Sequence, residues 1–174
     1  MHRRALIVLL VPLPLPLLAA CGSGPKHRSV TTIAEPMRVA TVAAARKAVD
    51  FPVPDPGTRL DQTRLTRIVV APPTGYDPPE HKPTVTFFYS GGGVVDASVQ
   101  VGSPDSRFGR AIESSLEHDV GPRLVGPHFS AESQDDSYAF RCGAVMVVVS
   151  MYEPSKARWK RLLRQVAHDC PEKR

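Results

Sequence analysis

The chain has 174 residues, with 22 Lys and Arg against 17 Asp and Glu and a net charge of +5. That length fits one domain with a real core. With 18 prolines and few aromatic residues, and no internal repeat, the composition predicts extended loops and excludes a repeat architecture.

The chain begins Met1-His2-Arg3-Arg4 and runs apolar from Ala5 for about fifteen residues, the build of a secretory signal. Pro12, Pro14 and Pro16 interrupt the run. They argue against a membrane-spanning helix, which needs ~20 apolar residues and an unbroken hydrogen-bond ladder. The run ends in Leu18-Ala19-Ala20-Cys21, which resembles the lipobox of bacterial lipoproteins. The resemblance implies that Leu18, Ala19 and Ala20 are recognition residues and that residues 1–20 are removed. It implies that Cys21 becomes the lipidated N-terminus, anchored at the extracytoplasmic face of the cell membrane. The segment 21–31 is polar and rich in Gly and Ser, the composition of a flexible tether. Its ten residues after the cysteine reach at most ~35 Å, so the single domain over 32–174 works close to the bilayer. Loss of residues 1–20 removes Arg3 and Arg4 and no acid, which lowers the net charge to +3. An exported chain rarely meets nucleic acid, and none is expected as a partner; a mild basic excess suits anionic lipid headgroups.

With Cys21 assigned to a lipid, Cys142 and Cys170 remain as a pair in an oxidising compartment. A disulfide between them is expected, with two separate buried thiols as the alternative. It would tie a strand to the last helix and contribute about 3 kcal/mol by the chain-entropy argument.

Taken in chain order, the domain opens with an expected helix over Pro36–Val49, capped by Glu35 or Thr32. Met37, Ala40, Ala44, Ala48 and Phe51 recur on one face at spacings of three and four. Pro52, Pro54 and Pro56 then force an extended path that cannot belong to a central strand. Strands are expected at Leu65–Ala71, Thr84–Tyr89 and Val94–Val101. An exposed proline-rich loop joins the first two, and Ser90-Gly91-Gly92-Gly93 makes a hairpin turn between the last two. Val95, Ala97, Val99 and Val101 alternate with Asp96, Ser98 and Gln100, the period of a strand with one wet face. Phe108, Ile112 and Leu116 mark a helix over 105–118. A strand is expected at Leu124–Phe129, then a polar turn from Glu132 to Ser137. Tyr138–Tyr152 reads as one long strand with a bulge at Gly143, and Ala144–Val149 within it is apolar on both faces, as in a central, fully covered strand. The last helix, Pro154–His168, carries Trp159, Leu162, Leu163, Val166 and Ala167 along one stripe with Cys170 beyond it. Lys156, Lys160 and Arg164 lie on its opposite side, a solvated face or a contact for anionic lipid or an acidic partner.

This order predicts an α+β fold, an antiparallel sheet with helices packed on one face. The succession of an alanine-rich helix, the Phe51-Pro52-Val53 segment, the hairpin through Tyr89 and the closing strand and helix loosely resembles two groups. These are extracytoplasmic domains of bacterial lipoproteins of uncharacterised role, and anti-sigma-factor-like membrane proteins. The resemblance implies a sensor or accessory role and supplies no catalytic residue.

No catalytic constellation is legible. There is no G-x-S-x-G elbow and no Gly-Lys-Ser/Thr after the glycines at 91–93. No C-x-x-C or H-x-x-x-H spacing exists, so no metal or cofactor is expected, and His81, His118, His128 and His168 are scattered. The acidic pairs Asp135-Asp136 and Asp77 with Glu80 read as solvated turns. Glu117-His118-Asp119 is consecutive, so on a helix the three point in different directions. The expected function is therefore that of a non-catalytic, lipid-anchored envelope protein binding a partner protein, peptide or lipid. Two alternatives are a hydrolase assembled from distant residues such as His81, His118, Asp135 and Ser90, and a lipid carrier with an apolar cavity.

Overall fold

A computed structural model describes residues 35–72, 82–91, 95–118, 123–126, 129–134, 137–152 and 155–171. The leader, Cys21, the tether, most of the loop before Pro83, His81, His128 and the Asp135-Asp136 pair lie outside the described residues. Within them the fold is α+β, and every strand pairing is antiparallel.

The first element departs from expectation. Met37–Val39 is a strand, β1, and the helix α1 starts only at Val42 and ends at Ala48. Thr41 is its cap, its Oγ1 accepting from the Ala44 N–H at 3.1 Å, in place of Glu35 or Thr32. The helical spacing there was carried by small alanines. Pairing of Met37, Arg38 and Val39 with a distant strand overrides it.

After α1, Phe51 and Val53 turn into the core while Pro52 points outward. This extended strap makes no ladder with the sheet, so side chains satisfy its carbonyls. Arg46 Nε donates to Val53 O at 2.8 Å, and Tyr89 Oη donates to Gly57 O at 2.9 Å. The strap leads into a short strand, β2 (Arg59–Leu60), which pairs with β3 (Thr63–Ala71). Then come β4 (Thr84–Ser90) and β5 (Val95–Gly102), paired with each other as the glycine-rich turn predicted. The helix α2 spans Arg107–Glu117.

Two further expectations are corrected in the second half. Leu124–Phe129 is not one strand. It divides into β6 (Arg123–Gly126) and the start of β7 (Phe129–Gln134), which pair with each other. Glu132 to Gln134 thus belong to a strand, and Ser137 opens β8 (Ser137–Cys142). Buried Ala131 is a small residue among polar ones, too faint a period-two signal to mark β7. Nor is Gly143 a bulge within one strand. It sits at φ +58° in the turn that folds β8 back on β9 (Val145–Met151). Only a residue tolerant of positive φ fits there. The helix α3, Lys156–Val166, closes the chain behind Ser155, whose Oγ accepts from Arg158 N–H.

Among the described residues nine strands form one sheet, in the order β1-β3-β4-β5-β9-β8-β7-β6, with β2 beside β3. The helices were expected on one face of the sheet, but only α1 and α3 share a face. Ala45, Val49, Trp159, Leu162, Leu163 and Val166 meet Phe87, Tyr89, Val99, Phe140, Val147 and Val149 there. The helix α2 lies on the other face, where Ile112 joins Ala139 and Met146. The sheet is thus covered on both sides at β9, as its two-faced apolar pattern requires.

The start of α2 is built tightly. Ser106 Oγ accepts from Gly109 N–H and donates to Ser103 O at 2.6 Å. A Cβ on Gly109 would stand 2.1 Å from Ser103 O and 2.6 Å from Pro104 Cα. Alanine in a helix normally gains ~1 kcal/mol over glycine. Here Gly109→Ala is expected to lower stability by about 2 kcal/mol or more, read by urea denaturation; a gain in stability would contradict this packing.

Tyr89 is fully buried, and burial, aided by the Asp55 carboxylate, pushes its phenol pKa well above the usual value. A folded-state pKa above the unfolded one means stability is complete below the unfolded value. It is then lost as pH rises past about 10, where the unfolded chain releases the proton first. Tyr89→Phe should flatten that alkaline decline. It should also cost about 1 kcal/mol near neutrality, because Gly57 O loses its donor. Denaturation across an alkaline pH series checks both.

Candidate functional site

Cys142 ends β8 and Cys170 lies just beyond α3, and the two are joined as a disulfide with Cα atoms 5.1 Å apart. The stripe of α3 accounts for this placement: Trp159, Leu162, Leu163 and Val166 seat the helix on the sheet, and Ala167 and Cys170 follow on the same buried side. Trp159 meets Tyr138 in a tilted contact, with ring centroids 4.8 Å apart and planes at 60°. Gly143 lies under the chain after the disulfide, where a Cβ would meet Pro171 Cγ at 3.0 Å.

Beside the disulfide, a groove of about 580 Å³ separates the strap after α1 from the turn between β8 and β9. Phe51, Pro52 and Pro54 supply apolar wall, and Arg46, Asp50 and Asp169 supply charge at its rim. The Arg46 guanidinium is held by the strap carbonyl of Val53. No histidine, serine or threonine lines the groove.

The residues of the hydrolase alternative are placed as follows. Ser90 ends β4. His118 caps α2 in an exposed position, its Nδ1 2.6 Å from the Ser114 carbonyl of its own helix. His81 and Asp135 lie outside the described residues. No hydrogen bond links Ser90 and His118. Among the described residues no group of three His, Cys, Asp or Glu is placed to hold a metal ion. Among the described residues no helix is long and apolar enough to cross a membrane.

The outer side of α3 divides in two. Lys160 and Arg164 are exposed; the Lys156 side chain is outside the described residues. Arg158 and Arg161 instead turn toward Asp61, with Arg158 Nε 2.6 Å from Oδ2 and Arg161 Nη2 3.9 Å from Oδ1. Asp61 holds a positive φ of 54°, a conformation that aspartate tolerates better than most residues. Gln165 adds a side-chain bond to Arg59 O, so α3 is clamped to the turn between β2 and β3.

A second charged feature escaped the sequence reading. A notch of about 410 Å³ opens at the sheet edge where β1 stops and β2 has not begun, lined by Arg38, Val39, Leu65, Thr66, Arg67 and neighbours. The Cζ of Arg67 lies 4.1 Å from the centre of the Phe88 ring. No short motif could have marked it, because the two arginines meet only through strand register.

No family model, no curated protein and no solved structure matches the chain.

Reduction of the disulfide, or Cys142→Ser with Cys170→Ser, should lower unfolding free energy by about 3 kcal/mol and loosen the end of α3. Denaturant titration with and without reductant measures this; identical curves would mean that the bridge carries no stability.

Proposed function

We propose that this is a lipid-anchored envelope protein without catalytic activity, held at the extracytoplasmic face of the cell membrane through Cys21, and that it binds a partner near the bilayer surface. The observation that carries the reading is the Cys142–Cys170 disulfide. Disulfides persist in oxidising compartments and are rare in the cytosol. This one accounts for both cysteines of the folded domain and leaves Cys21, at the end of a signal-like leader, as the remaining thiol. A leader and a structural disulfide are independent features, and both point outward.

The absence of a legible nucleophile–base pair in the sequence supports a binding role. So does the groove beside the disulfide, whose apolar wall and charged rim suit a partner protein or peptide. The interior between the sheet and α1 and α3 is filled by large side chains such as Phe87, Phe140, Leu162 and Leu163. That packing favours a surface contact over an enclosed lipid.

Replacement Cys21→Ser tests the anchor. The variant should leave the membrane fraction or retain its uncleaved leader. Unchanged fractionation together with normal processing would remove the lipoprotein reading.

A further inference from the structure

We infer that Arg38 and Arg67 form a binding site for a phosphate-type oxyanion at the β1 edge of the sheet. Arg38 pairs in register with Val69, and side chains alternate faces along a strand. Arg67, two residues from Val69, therefore shares its face with Arg38. The two guanidinium-bearing positions are diagonal neighbours, about 7–8 Å apart by strand geometry. Like charges this close repel, and among the described residues that line the notch there is no carboxylate to offset them.

Arg67 is also positioned for the task. Its guanidinium rests on the Phe88 ring, a cation–π contact that fixes the plane of the fork. The Nε–H of Arg67 is buried and has no hydrogen-bond partner. That donor is out of reach of a ligand, so it is the terminal Nη groups of the half-buried Arg67 that can face an anion. A tetrahedral anion at the mouth of the notch would accept from the Arg67 fork and neutralise Arg38. Two full positive charges suit a phosphate better than a single carboxylate.

The basic face of α3 is a weaker candidate for the same ligand. Asp61 pairs with Arg158 and lies 3.9 Å from Arg161, and Lys160 and Arg164 project into solvent. The notch instead lies beside β1, the first strand of the sheet in chain order. A phosphate there belongs either to a lipid headgroup or to a free phosphate-bearing solute; only the headgroup source rests on the anchored reading.

The experiment places the full chain in nanodiscs and follows the Arg67 Nε–H resonance by NMR, assigned through its loss in Arg67→Lys. In phosphatidylcholine discs, inorganic phosphate should shift the resonance saturably. Arg38→Gln, at an exposed edge position that the fold tolerates, should weaken that affinity about tenfold, and Lys160→Gln with Arg164→Gln should leave it unchanged. A shift produced by phosphatidylglycerol in the discs, without added phosphate, identifies a headgroup site; a response to phosphate alone identifies a free-anion site. Either supports the proposal. A resonance that neither probe moves, or a response indifferent to Arg38→Gln, overturns it. The phosphate arm also reads on protein that is not membrane-attached, so a failed anchor and a failed anion site give different results.

Discussion

Val145, Val147 and Val149 point to one side of the sheet and Met146 and Val148 to the other, so β9 can exist only where both faces are covered. That requirement organises the rest of the molecule. The strand takes a central position between β5 and β8, away from either edge. On one side, α1, α3 and the proline strap bring Phe51, Val53, Trp159 and the paired leucines of α3 onto it. On the other, α2 covers the Met146 side with Ile112, anchored at its start by Ser106 and by the Lys82–Asp105 pair. That pair holds the Asp105 carboxyl below its ordinary pKa, chiefly through the hydrogen bond from Lys82. Dispersion and apolar burial along β9 and α3, summed over many fully buried side chains, are the main source of stability.

The disulfide acts on that frame at one point. It joins the turn between β8 and β9 to the chain just after α3, where packing would otherwise end. The helix is thereby fixed at both ends: by Asp61 and Arg59, which hold Arg158 and Gln165, and by the bridge at Cys170. The groove between the strap and the bridge inherits its shape from these constraints. A partner docking there would meet a wall already ordered, with little entropy left to lose.

Much of this was legible along the chain, for identifiable reasons. The stripe of α3 and the alternation in β5 are long enough for a period to stand out. The two-faced apolar run of β9 announced a central strand. The cysteine pair was expected from the leader, since assigning Cys21 to a lipid would leave only two thiols. What escaped depends on partners distant in sequence. The β1 strand carries helix-like spacing through its alanine-rich continuation, and only β3 makes it a strand. Gly143 marks a break either as a bulge or as a turn, and its positive φ with the Cys142–Val145 pairing decides for a turn. The meeting of Arg38, Arg67 and Phe88 is a property of register alone, invisible until β1, β3 and β4 are aligned.

We propose that the chain is exported, with a lipid on Cys21, and its domain holds a disulfide between Cys142 and Cys170. Intact-mass and peptide mapping of the protein purified from its own membranes under non-reducing, thiol-trapping conditions tests both at once. The expected result is an N-terminus at Cys21 bearing diacylglycerol, with Cys142 and Cys170 joined in one peptide pair. An unmodified Cys21 with both other thiols trapped as free would contradict it.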